Sequence, residues 1–134
     1  TFIPLVTATG GNAAIQSAAI AVQGLTSGDL RLSDGLQRLG KEMLVALLNG
    51  VVLGLAIGGV VVLMGVGEPA RLALTVGLTL LAVIVIATAN GAIVPFMLRR
   101  AGVDPASAMG PFVTTLNDIV GLSVYFAIAR LIYL

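Results

Sequence analysis

Between Met43 and Leu98 the chain carries only two charged side chains, Glu68 and Arg71. A stretch so apolar has few ways to fold in water. The runs on either side of Glu68 each exceed the roughly 20 residues that cross a bilayer as a helix, and they lack the strict alternation of a barrel strand. Hydrophobic residues make up 58% of the chain and charged residues 10%, and the mean hydropathy is +1.11. That balance is far from a soluble domain's. The expected fold is all-α, a polytopic transmembrane bundle with spans at about 2–25, 43–64, 70–98 and 105–134 and an interfacial segment at 26–42.

Cysteine and histidine are absent. Disulfides, thiol chemistry, zinc sites and haem ligation go with them, leaving carboxylate, amide, hydroxyl and backbone oxygens as ligands. Those are hard donors, suited to magnesium, calcium or manganese. Net charge is +1 with no basic cluster, so no nucleic acid is implied. The sequence holds no nucleotide-binding motif, no nucleophile beside a base and no pair of catalytic carboxylates; GGN at 10–12 is too short for a phosphate loop. An enzyme is not expected. The chain opens at Thr1 inside an apolar run and reads as part of a longer protein.

The first span is polar for a membrane helix, with Thr9, Asn12, Gln16 and Gln23 near one face beside Gly10 and Gly11. Buried amides of this kind hydrogen-bond across helices, and the same face suits a pore lining. Ser33 and Asp34 are placed as caps ahead of Leu36 and Leu39. In the second span Ala46, Gly50, Gly54 and Gly58 recur every four residues, the pattern of tight helix packing. A turn is expected at Gly65, Val66, Gly67 and Glu68, with Pro69 opening the third span. Pro95 should kink that span near Gly91. Arg99, Arg100 and Gly102 close it, Asp104 and Pro105 open the fourth span, and Gly110 with Pro111 divides off a short leading segment.

Asp118 is the only acidic residue deep inside an apolar segment, and a charge there marks a functional site by default. On a helix, Gly110, Thr114, Asp118, Gly121 and Tyr125 fall on one polar, small-sided stripe, backed by Phe112, Leu116, Ile119 and Leu122. Charge also sets orientation. The first and third loops hold Arg31, Arg38, Lys41, Arg99 and Arg100, so 26–42 and 99–104 are expected in the cytoplasm and both chain ends outside a cell membrane.

Two stretches, TGGNAAIQS at 9–17 and GVDPASAMGPFVTTLNDIVGLSVYF at 102–126, resemble the membrane domain of the MgtE magnesium channels, which are related to animal solute carriers. The likeness covers essentially the whole chain. It implies the second to fifth of five membrane helices, without the first helix and without the cytoplasmic amino-terminal and CBS domains of the family. Carried over by motif, Asp118 matches the ion-binding aspartate of TTxxDxxG, and Thr114 a position whose carbonyl faces the ion. Asn12 falls in the GGN motif of a pore-lining helix, with Gln16 and Gly121 in the same lining. Ala14, Ile15 and Gly110 depart from the usual residues.

The resemblance implies a homodimer with a pore on its twofold axis, passing hydrated Mg2+, or Mn2+ and similar divalents, into the cytoplasm. One Asp118 helix and one amide-bearing helix cannot by themselves enclose an aqueous path, and twofold symmetry supplies the missing wall. An ion-coupled carrier using Asp118 as an alternately exposed site, and a structural membrane-assembly module, are the alternatives.

Overall fold

The computed structural model describes residues 2–65, 67–108 and 110–134. Four long helices follow one another: α1 (Ile3–Ser27), α2 (Gly35–Met64), α3 (Pro69–Arg100) and α4 (Pro111–Tyr133). Single 3-10 turns precede α2 and α4, at Leu32–Asp34 and Pro105–Ala108. Each helix is long and apolar enough to cross a membrane. Helix is also the only spanning form that satisfies every backbone group within one segment.

The ends of the helices follow local chemistry. Gly28 ends α1 at φ 84° and Gly65 ends α2 at φ 62°, the left-handed conformation that glycine adopts without a β-carbon clash. Gly102 plays the same part after α3: with its φ of 77°, the Val103 amide reaches back to the Leu98 carbonyl at 2.9 Å. Pro69 and Pro111 stand at first-turn positions, where a missing N–H costs nothing. Val66, part of the expected turn, lies outside the described residues.

Two local expectations take a different shape. Asp34 accepts from the Arg31 amide at 2.9 Å and so closes the 3-10 turn; α2 begins directly after it, making 35–42 helical and continuous with the apolar run. Asp104 accepts from the Ala106 amide at 3.1 Å and caps the short turn at Pro105–Ala108, while α4 starts at Pro111. Helix α3 continues through Pro95 as one element.

Helix α3 is the hub, packed against α1, α2 and α4, and α1 also packs against α4. The four-residue repeat of α2 is what meets α3. Ala46, Gly50 and Gly58 are buried, and a β-carbon on Gly54 would stand 3.0 Å from the Gly77 carbonyl oxygen. Close backbone approach replaces a hydrophobic driving force that lipid cannot supply. On the other side of α3, Val6, Val76, Leu80 and Val83 form one core cluster and Ala14, Ala87 and Val113 another. The outer face of α2 is left apolar and exposed through Leu44, Leu48, Val52, Leu55 and Leu63.

Candidate ion-binding site

Helices α1 and α4 carry the polar residues, and Val83 of α3 orders both. A β-carbon on Gly10 would stand 2.6 Å from a Val83 methyl, and one on Gly121 3.6 Å from the same methyl. Glycine at position 10 lets α1 close on α3, whereas a β-carbon at position 121 would meet Val83 in ordinary contact. Fixing that face of α1 inward turns Asn12 and Gln16 outward, since each residue advances about 100° around a helix. Both amides are exposed. Ile15 and Gln23 are exposed as well, whereas Ser17 is buried.

In α4 the inward spine is Val113, Asn117 and Gly121, spaced by four. Asn117 is 2% exposed and its Nδ2 donates to the Val113 carbonyl at 2.7 Å. Its Oδ1 meets no donor among the described residues. The next residue, Asp118, is thereby carried to the flank and is exposed. No hydrogen bond or ion pair joins Asp118 to another described residue. It stands about 10 Å along a helix that begins at Pro111, within the apolar span.

Thr114, one turn before Asp118, is half-buried, and its hydroxyl donates to the Gly110 carbonyl at 3.0 Å. Of the stripe read from the sequence, Thr114 and Asp118 share one flank. Gly121 lies buried against Val83 and Tyr125 packs on the core cluster that includes it. Among the described residues no three acidic side chains converge as a metal cage.

Two polar ties hold the C-terminal half of α1, one of them at the end where the basic loops gather. Ser17 donates from its hydroxyl to Glu42 of α2 at 3.4 Å, and Glu42 is itself paired with Arg38 at 2.6 Å. Arg99 of α3 donates to the Leu25 carbonyl at 2.6 Å, satisfying one of the carbonyls a helix leaves open at its C-terminus. Sequence reading missed both ties. The spacing of Arg38 and Glu42 signals their pairing, but nothing local signals the reach from Glu42 to Ser17.

Fold and residue placement together define a multi-pass helical membrane protein, with amide and carboxylate side chains set on the outside of two neighbouring helices. The chain belongs to the MgtE family, described as divalent cation transporters, whose pattern matches residues 3–128. It is 40% identical over 131 residues to the magnesium transporter MgtE of Thermus thermophilus and 37% identical over 131 residues to that of Enterococcus faecalis. The Bacillus subtilis magnesium transporter MgtE is 34% identical over 128 residues. These matches cover 98%, 97% and 96% of this chain but 28% of each relative, so the chain spans under a third of the curated relatives' length.

Proposed function

We propose that this chain forms the membrane pore of a divalent-cation channel, with two copies around a twofold axis passing hydrated Mg2+ into the cytoplasm. The observation that carries this reading is Asp118, a carboxylate exposed on a membrane-spanning helix and joined to no other described residue. An unpaired charge at mid-helix costs about 3 kcal/mol or more against lipid, so its free face requires water, a cation or both. The magnesium transporters among its relatives make a divalent cation the fitting partner.

A single carboxylate deep in the apolar spans of each chain suits a dimer. Two copies of Asp118 bring a formal charge that balances one divalent ion. Magnesium gives up its waters reluctantly, so a ring of oxygens holds the hydrated ion more readily than the bare one. The Asp118 carboxylates and the Thr114 carbonyls accept hydrogen bonds from the ion's waters. The amide oxygens of Asn12 and Gln16, exposed on the neighbouring helix, continue that lining, with Gly121 buried behind it beside Val83. Inward passage is favoured by about 4.6 kcal/mol at 100 mV, since each elementary charge contributes about 2.3. No energy-coupling site is required.

Currents across a planar bilayer with Mg2+ as the sole permeant cation test the channel mechanism: discrete ohmic steps are expected, and saturating transport without unitary events would replace the channel with a carrier. A bifunctional thiol reagent on a Gln16→Cys chain in membranes tests the symmetry, because the native sequence has no cysteine. Crosslinked dimers are expected; a monomer that still conducts would contradict the shared pore.

A further inference from the structure

A groove of about 620 Å³ opens where the start of α2 meets the end of α3, lined by those helices and the turn before α2 rather than by the Asp118 helix. Its walls are apolar, chiefly Leu36, Ile93, Phe96 and Met97, and its charged lining residue is Arg100. Gly35 of α2 faces the Phe96 ring of α3 there, with space for no more than a β-carbon, which would meet the ring at 3.4 Å. Among the described residues no acidic side chain lines the groove. Asp34, the closest in sequence, is occupied elsewhere, accepting from the Arg31 amide and the Ser33 hydroxyl.

The cations of this end are not equivalent. Arg38 is paired with Glu42, and Arg99 is spent on the Leu25 carbonyl. Arg100 has no hydrogen bond or ion pair with any described residue. It stands in the last turn of α3, where the apolar span gives way to the charged loop. An apolar groove in a membrane helix pair, ending in an uncompensated guanidinium, has the shape and charge of a phospholipid site.

We infer that this groove binds an anionic phospholipid, with an acyl chain against Leu36, Ile93 and Phe96 and the headgroup phosphate on Arg100. The guanidinium also satisfies a zwitterionic lipid's phosphate, but there the choline charge opposes it. An anionic headgroup has no such opposition. The inference does not involve Asp118, so its failure leaves the cation path untouched.

The chain has no tryptophan, which makes Phe96→Trp a unique fluorescent reporter in the groove. The reporter chain is reconstituted in vesicles containing brominated phosphatidylglycerol or brominated phosphatidylcholine as quencher. Phosphatidylglycerol should be preferred at position 96 by about fivefold, the contribution of one basic residue near a membrane surface. Arg100→Gln in the same background should bring the ratio near one, and Arg100→Lys should keep most of it. Leu63→Trp, at the exposed far end of α2, should show no preference. Equal quenching at position 96 by the two lipids overturns the inference, as does a preference that survives Arg100→Gln. Absence of quenching by either lipid overturns it too, since protein then covers the groove.

Discussion

Gly91 of α3 lies directly against the main-chain carbonyl of Ala14 in α1, so close that a β-carbon on Gly91 would overlap that oxygen. The contact fixes how deep α1 sits and therefore how Asn12 and Gln16, on either side of Ala14, are presented. Gly91→Ala forces backbone rather than a flexible side chain to move, and overpacking of this kind costs about 1–3 kcal/mol. Thermal unfolding in detergent should show that loss. Gly59→Ala, on the open face of α2 with nothing within 4 Å of the added carbon, should hold or raise the transition, since alanine is the better helix former by up to about 1 kcal/mol.

The Arg99 guanidinium on the Leu25 carbonyl, at 2.6 Å, ties the end of α1 to the end of α3. Arg99→Gln should destabilise the chain by about 1.5 kcal/mol, the low end for a hydrogen bond to a charged group because this one is reached by solvent. Increased amide exchange confined to the last turn of α1 is the accompanying signature. Arg100→Gln, which breaks no internal bond, should match the parent in both measurements.

The number of helices, their apolar character and the glycine spacing of α2 were legible in the sequence because they depend on length and local pattern. Gly50, Gly54 and Gly58 meet α3 as small-residue spacing predicts, and Gly102 and Pro111 end and start helices for backbone reasons that need no tertiary context. Facing was harder to read. Lipid and core are equally apolar, so hydropathy does not distinguish buried Val113 from exposed Phe112 or Ile119. The buried spine of α4 runs through Asn117 and Gly121 instead, because Val83 and the Ala14 cluster receive that side. The caps at Ser33 and Asp34 marked a helix start, but the continuity of 35–42 with the apolar span was not legible, since its polar residues read as an interfacial segment until Arg38 pairs with Glu42 one turn on.

We propose from the basic loops that 26–42 and 99–104 face the cytoplasm, and direct labelling tests this because the sequence is free of cysteine. Ser33→Cys and Ala101→Cys should resist a membrane-impermeant thiol reagent added outside intact cells. Glu68→Cys, in the opposite loop, should react. The reverse pattern inverts the topology and, with it, the direction in which the groove beside Arg100 faces.

Divalent flux through Asp118 variants, compared at matched membrane expression, tests the central claim most directly. If water bridges the ion to the carboxylate, charge matters more than reach, because bridging waters adapt to small changes in distance. Asp118→Glu should then retain partial Mg2+ transport, while Asp118→Asn and Asp118→Ala lose most of it. Direct ligation would instead make glutamate fail nearly as badly as alanine, since an octahedral Mg2+ site at about 2.1 Å tolerates little displacement. Full Mg2+ flux through Asp118→Ala would contradict the assignment of this residue to the cation path.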